Sequence, residues 1–337
     1  MNLNLKIKQM NKKLIPIVVG GLLCALAITF FWWGQSKPQA IESSAQRFTN
    51  NLQAAKNKQT SSLTAFNADD QLLSQLGELS ELTTLNLQGS TITDEGLKSV
   101  AKIGSLRELF LQDTKITSEG LKHLAPLRRL NELQLGRTSV DDLSPLVELP
   151  ALQILRLRGI PINDMAGEHL AKLINLRELG MIDCAISDVT IEKLSALVDL
   201  EELWLGGTQV TDKSLEVIAK FPKLRVLSLR RTRITDTGLA ALQQSTQLRE
   251  LYLSGTKISE KGVENLGGLP ELTSLGLART LITEPLSVLA KFPKLGIPIV
   301  SAPPLTDEQE VELMEKYPDA MVLHPEDDPN DVSYNEP

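Results

Sequence analysis

The sequence predicts an α/β solenoid, with a parallel β-sheet along a concave face and helices along a convex face, preceded by one N-terminal transmembrane helix. Three observations carry this. A leucine pattern recurs at a nearly constant interval through about two thirds of the 337 residues. A run of 20 residues near the amino terminus has no charge. The composition, 42% hydrophobic, 23% charged and 4% aromatic, is too apolar for a disordered chain and too charged for a multi-span membrane protein. Four of the few aromatics stand together as Phe30, Phe31, Trp32 and Trp33, so the core has to be aliphatic, chiefly Leu.

The uncharged run, Leu14 to Trp33, spans about 30 Å as a helix, the thickness of a bilayer's hydrocarbon core. Residues 1–13 carry Lys6, Lys8, Lys12 and Lys13 and no acid, which keeps the amino terminus in the cytoplasm and puts everything after the anchor, 14–34, on the exoplasmic side. Trp32 and Trp33 suit the interface where the helix emerges. A cleaved signal peptide ending near Ala25-Leu26-Ala27 is the alternative, and the apolar run continues past that site. Leu23 stands where a lipoprotein signal before Cys24 needs a small residue. Residues 35–62, rich in Gln, Ser, Asn, Lys and Ala, read as a stalk or loosely helical linker reaching roughly 30 Å.

From residue 82 to 300 the pattern L-x-x-L-x-L-x-x begins at Leu82, Leu106, Leu130, Leu152, Leu176, Leu200, Leu224, Leu248 and Leu272, and Leu295-Gly296-Ile297 opens a worn tenth unit. All intervals are 24 residues except one of 22. In residues 82–105, alternation turns Leu85 and Leu87 inward on a short strand and Thr84, Asn86 and Gln88 outward. Thr93-Asp94-Glu95-Gly96-Leu97 then offers a capping hydroxyl, first-turn acids and helical spacing. One such unit cannot bury its own Leu face; stacked units close a continuous core. In the third unit Asp141-Asp142-Leu143-Ser144-Pro145-Leu146 replaces the helix opening with something tighter, where curvature should change.

This pattern strongly resembles the leucine-rich repeat family, in the form L-x-x-L-x-L-x-x-T-x-I-T-D-x-G-L of the 24-residue bacterial repeats, and is similar also to the cysteine-containing repeats of ubiquitin-ligase receptors. Where the family usually carries Asn, this chain has Ser90, Thr114, Thr138, Ile160, Cys184, Thr208, Thr232, Thr256 and Thr280, a ladder mainly of hydroxyls, in which Cys184 reads as a buried structural thiol. Residues 63–81, with Phe66, Leu72, Leu73 and Leu76, read as a helical N-terminal cap. Residues 301–320 read as a C-terminal cap with Val311, Leu313 and Met314 available to cover the core, and 321–337 as an acidic, frayed tail.

The net charge of −7 argues against nucleic acid as a partner. The acidity is local: the chain from Ala302 onward carries a net −10, against near −1 for residues 35–301. The tail either aids solubility or screens a basic patch on the concave face until a partner competes for it. Two Cys and three His make a metal site unfavourable, and no Walker loop, dinucleotide fingerprint or Ser-His pairing is present, so no cofactor, metal or enzymatic role is predicted.

Function is therefore sought on the outward strand positions. The central column reads Asn86, Phe110, Gln134, Arg156, Gly180, Trp204, Ser228, Tyr252 and Gly276, with arginines at 137, 158, 230, 231 and 279 on one side and glutamates at 108, 132, 178, 202 and 250 on the other. Large aromatics and Arg dominate many interfaces, so Phe110, Arg156, Arg158, Trp204, Arg230, Arg231 and Tyr252 are predicted to bind a protein partner. Trp204 and Tyr252, two strands apart, should lie roughly 10 Å from each other and face solvent. The alternative for the glutamates is a set of ion pairs across neighbouring strands, worth little when exposed. An anionic envelope polymer or glycan gripped by the arginines, and a structural spacer with no ligand, are the alternatives to a bound protein.

Overall fold

The computed structural model describes residues 44–76, 79–266, 268–301 and 305–323. The basic segment 1–13, the anchor 14–34 and residues 324–337 of the tail lie outside them. Among the described residues no helix is long and apolar enough to cross a membrane.

The described chain forms one parallel sheet in which twelve strands pair in simple sequence order. They are β1 (Ser62–Thr64), β2 (Thr84–Asn86), β3 (Glu108–Phe110), β4 (Glu132–Gln134), β5 (Ile154–Arg156), β6 (Glu178–Gly180), β7 (Glu202–Trp204), β8 (Val226–Ser228), β9 (Glu250–Tyr252), β10 (Ser274–Gly276), β11 (Ile297–Ser301) and β12 (Met321–Leu323). Their register repeats the leucine spacing, with Leu109 beside Leu133, Leu133 beside Leu155 and Leu155 beside Leu179. A helical segment follows most strands, with α1 (Ser44–Lys56) before the sheet, then α2 (Asp70–Leu73), α3 (Asp94–Val100) and α4 (Ser118–Leu121). The series continues with α5 (Gly167–Leu170), α6 (Asp188–Lys193), α7 (Asp212–Ile218), α8 (Asp236–Leu239), α9 (Glu260–Asn265), α10 (Pro285–Leu289) and α11 (Asp307–Lys316).

The core lies between sheet and helices. In the unit 82–105, Leu82, Leu85, Leu87, Ile92, Leu97, Val100 and Ile103 are all fully buried, three from the strand segment and the rest from the turn and helix behind it. The two-residue deletion in the third unit leaves only the 3₁₀ turn Ser144–Glu148, with Pro145 in its first turn, where a neighbouring unit has an α-helix. A 3₁₀ turn rises about 2.0 Å per residue instead of 1.5 Å, so fewer residues cover the same return path.

Adjacent units are fastened at their helix starts. The side chain of Asp94 accepts from both the N–H (2.8 Å) and the Oγ1 (2.6 Å) of Thr117 one unit later. Asp164 holds Ser187, Asp188 holds Thr211, Asp212 holds Thr235 and Asp236 holds Ser259 in the same way. The Thr-Asp pair therefore does more than cap its own helix: the Thr hydroxyl is tied backwards and the Asp carboxylate forwards. The small residue two positions after the Asp follows from this. At Gly238 a Cβ would sit 2.5 Å from Asp212 Oδ1. Where that position is Thr190 or Ser214, the hydroxyl instead donates to the carboxylate, at 2.6 Å and 2.5 Å.

The ladder hydroxyls turn inward on their own unit. Thr114, Thr138, Thr208, Thr232, Thr256 and Thr280 each donate to the carbonyl three residues earlier, at 2.5–2.7 Å. Cys184 donates its thiol to Leu157 O of the preceding unit at 3.0 Å, and burial pushes it up to about 12.

Both ends depart from the sequence reading. Among the described residues of 63–81 there is no separate helical cap. Leu63 enters β1, which pairs with β2, and the short α2 follows, so the segment is one more unit of the stack. Phe66 is left exposed, whereas Leu73 and Leu76 join the core. The capping is done from inside the predicted linker, where α1 buries Leu52 and Ala55 in the same core. At the other end a capping box between Thr306 and Gln309 starts α11. Leu313 and Tyr317, one turn apart on a shared face, seal the core, while Val311 points away. Residues 321–323, assigned to the tail by composition, form β12.

Candidate functional site

The outer face is the side of the sheet opposite the leucine core. Strand register places Asn86, Phe110, Gln134, Arg156, Gly180, Trp204, Ser228, Tyr252 and Gly276 side by side, as the alternation requires. What these side chains do there divides the face in two.

From β2 to β6 the face is a polar network. Thr84 Oγ1 donates to Glu108, Gln134 Nε2 donates to Glu132 (2.6 Å), and Gln112 bonds Gln134. Arg156 sits at the centre: Nε and Nη2 donate to both oxygens of Glu178 at 2.5 and 3.0 Å, and Nη1 reaches Glu132 at 3.2 Å. Glu178 is buried, so its fork of hydrogen bonds to the guanidinium is what makes its charge tolerable there. Phe110, half-buried, stands between Asn86 and Gln134 in this half.

From β6 to β10 the face is apolar. Ile182, Trp204 and Val226 form a separate buried cluster, with Tyr252 packed against it. Trp204 is only 6% exposed, which corrects the expectation of a solvent-facing indole. The reason is the small residue between the aromatics: Ser228 lets the rings lean together over its strand, to 5.9 Å between centroids and 20° between planes, instead of standing two strand spacings apart. Ser228 is fully buried beneath them.

The polar tips of both rings are held by the neighbouring glutamate column. Trp204 Nε1 donates to Glu202 at 3.3 Å and Tyr252 OH to Glu250 at 2.6 Å. Burial, then the nearby Glu178 charge, holds the Glu202 carboxyl above the usual range. Burial also raises the Tyr252 phenol, reinforced by the hydrogen bond to Glu250.

The arginines occupy the opposite margin of the face and are largely committed. Arg158 Nε stands 3.6 Å from Asp183 Oδ2. Arg231 donates to Asp183 Oδ1 at 2.8 Å across two units, passing over Gly207. A Cβ on Gly207 would lie 2.3 Å from that oxygen and 3.3 Å from Arg231 Nη2, and the residue also needs its φ of +70°. Arg137 pairs with Asp113 through two short bonds of 2.5 and 2.6 Å. Arg230 lies 5.8 Å from the Tyr252 ring centroid, a cation–π distance.

Of the seven predicted residues, then, the structure brings Trp204, Tyr252 and Arg230 into one cluster, puts Arg158 and Arg231 on a shared carboxylate, and leaves Phe110 and Arg156 in the other half. Sequence reading missed Glu201, which accepts from Arg177 (3.3 Å) and pairs with Arg225 on the entry side of the strands. Its signal was the 24-residue spacing of those three positions. It missed also the forward ties of the Asp carboxylates, which the recurrence of Asp and then Ser or Thr 23 residues later would have revealed.

Among the described residues no group of three or more His, Cys, Asp and Glu could hold a metal ion. Compared with known proteins, residues 62–300 match the leucine-rich repeat region model. Among solved structures the chain is similar to an internalin from Listeria monocytogenes, with 21% identity over 73% of this chain and 88% of that one, at a TM-score of 0.49. It is similar also to internalin C2 of the same organism, with 25% identity over 68% of this chain and 92% of that one, again at a TM-score of 0.49. No curated protein matches it significantly. On the family match, spanning well over half of its length, the chain belongs to the leucine-rich repeat family.

Proposed function

We propose that this protein is anchored in the cytoplasmic membrane by residues 14–34, holds its repeats on the exoplasmic side of a bacterial envelope, and binds a protein partner through the concave, outer face of the sheet. It acts by binding and not by catalysis. The observation that carries this reading is the cluster of Trp204 and Tyr252 with Ile182 and Val226, an apolar group on the outer face where strands β2 to β6 carry a polar network. Trp204 serves as its buried floor; Tyr252, half-buried, and Arg230 present the surface that a partner would meet. An anionic polymer or glycan is the weaker reading, because Arg156, Arg158 and Arg231 already hold carboxylates.

Two measurements test it. Protease accessibility in intact against lysed cells reports the side of the membrane: digestion of the repeats once the outer barrier is permeabilised and the inner membrane left whole is the expected result, and protection until the inner membrane is lysed would reverse the orientation. Co-purification of the full chain, compared with Tyr252→Ala, reports the face. A defined protein retained at moderate salt and lost from the variant supports the reading; a polysaccharide released steeply by salt, or indifference to the substitution, overturns it.

A further inference from the structure

Two ties recur behind the sheet where one unit passes to the next. One is the forward bond of the Asp carboxylate. The other is a backbone bond made by the turn, as from Ser139 N–H to Ile116 O (3.0 Å), Gln209 to Ile186 (2.9 Å) and Arg233 to Val210 (3.1 Å). Among the described residues, of the junctions up to the unit that begins at Leu272, the one between the third unit, 130–151, and the fourth, 152–175, lacks both. Pro161 stands at the donor position of the turn and has no N–H to give, and the Ile162 N–H bonds Ile160 O in its own turn. At the carboxylate position, Asp142 accepts from the N–H and Oγ of its own Ser144 at 2.8 and 2.6 Å. At the hydroxyl position, Asn163 accepts from its own Met165 N–H at 2.9 Å. The preceding junction keeps a tie with the roles reversed, Ser118 Oγ accepting from the N–H groups of Asp141 and Asp142 at 3.0 and 2.9 Å.

We propose that the junction of the third and fourth units is a hinge, about which the units before residue 152 and those after it bend as two blocks. The sheet is continuous in front and forms the fulcrum: Gln153 N–H bonds Asn131 O at 2.8 Å and Leu135 N–H bonds Arg156 O at 2.9 Å. Among the described residues, the polar contacts left behind the sheet are His169 Nε2 at 3.7 Å from Asp142 Oδ1 and Asn175 Nδ2 donating to Pro150 O at 2.9 Å. Splaying the units apart on the helix side therefore breaks none of the repeated ties here, whereas at the junctions on either side it strains two or more hydrogen bonds. Splaying behind tightens the concave face in front. Arg156 spans the hinge on that face, holding Glu132 on β4 and Glu178 on β6, so it resists the opposite motion, flattening. The apolar half beyond β6 thus turns as a block toward the units before the hinge, and the face can close on what it binds.

The test needs no partner, so its failure is separate from a failure of the proposed function. Glu119, Val189 and Lys261 are exposed and hold the same place, second in α4, α6 and α9, at intervals of three units. Nitroxide pairs are placed by Glu119→Cys with Val189→Cys, across the hinge, and by Val189→Cys with Lys261→Cys, beyond it, in the full chain in detergent. Cys24→Ser is added to each, and the buried Cys184 is left in place. At helix packing distances both pairs are roughly 24–30 Å apart, within the range of double electron–electron resonance. The expected result is a distance distribution at least about 1.5-fold broader across the hinge than beyond it. Pro161→Gln with Asn163→Thr copies Gln209 and Thr211 of a tied unit and should narrow the first distribution toward the second. Circular dichroism confirms that the variants fold, and Pro161→Gln by itself, which restores the backbone donor, should give part of the narrowing. Equal widths for the two pairs in the otherwise unchanged chain, or a width across the hinge that the restored ties leave as it was, would each overturn the proposal.

Discussion

Across β2–β6 the outer face is held by charge and hydrogen bonds centred on Arg156, whereas across β6–β10 the same backbone frame carries an apolar cluster centred on Trp204. Nothing in the leucine scaffold distinguishes the two halves: the inward Leu109, Leu133, Leu203 and Leu227 are equally buried. The difference lies in two outward columns of side chains. A solenoid frame therefore fixes where a surface side chain starts and leaves its neighbours to decide whether it ends in solvent, in an ion pair or under another ring.

The sharpest way to break the comparison is to truncate one aromatic in each half. Trp204→Ala should cost about 3 kcal/mol, since it empties a buried cluster, and Phe110→Ala, half-exposed within the polar half, less than about 1 kcal/mol. Urea unfolding of both variants measures this, and equal costs would erase the distinction.

In the polar half, Arg156→Ala should cost about 2 kcal/mol by leaving buried Glu178 without its cation, and Arg156→Ala with Glu178→Gln should recover most of it. A recovery that fails to appear would mean the guanidinium contributes through packing alone.

Gly207→Ala should cost about 1–2 kcal/mol, combining a left-handed backbone with a clash against Asp183. Gly159→Ala, at a φ of +64° but with its nearest neighbour atom, Arg137 Cγ, at 3.5 Å, should cost the backbone part only. The difference between the two thermal shifts isolates the ion pair that crosses Gly207.

The smallest effect is in pH dependence. Glu202 has its folded pKa raised by burial and by Glu178, so its charged form is penalised in the folded state. The penalty is absent below the unfolded value of about 4.3 and grows as pH rises through the folded one. Glu202→Gln should therefore stabilise slightly at pH 7 and do nothing in acid. Glu260 is the opposite case, its carboxyl held at about 2 by hydrogen bonds from the Thr283 backbone first and its hydroxyl besides. Its contribution is complete above about pH 4.3 and is lost as pH falls toward 2, so Glu260→Gln should destabilise at neutrality. Denaturation midpoints at pH 3 to 7 distinguish the two signs.

The fold was legible in the sequence because a leucine every 24 residues, with strict alternation on either side, can share one core only if every unit adopts one register. Even the shortened third unit announced itself, through a missing pair of residues and Pro145. The site was less legible. The outward columns were identified position by position, but Trp204 was expected in solvent and lies under its neighbours, and Arg231 was expected to await a ligand and instead holds Asp183. The ends were misread for a related reason: Leu52 and Ala55 are too few to mark a cap by composition, and only a core left open beside β1 makes them one.

The sequence by itself therefore determined the solenoid, its register and which side chains leave the core, because periodicity is a local property repeated along the chain. The tertiary structure alone decided that Trp204 meets Tyr252 and Arg231 meets Asp183, each pair 48 residues apart. Both meetings pass over a small residue of the strand or turn between, Ser228 in one case and Gly207 in the other, and no spacing rule states how far a side chain leans into room left by its neighbour.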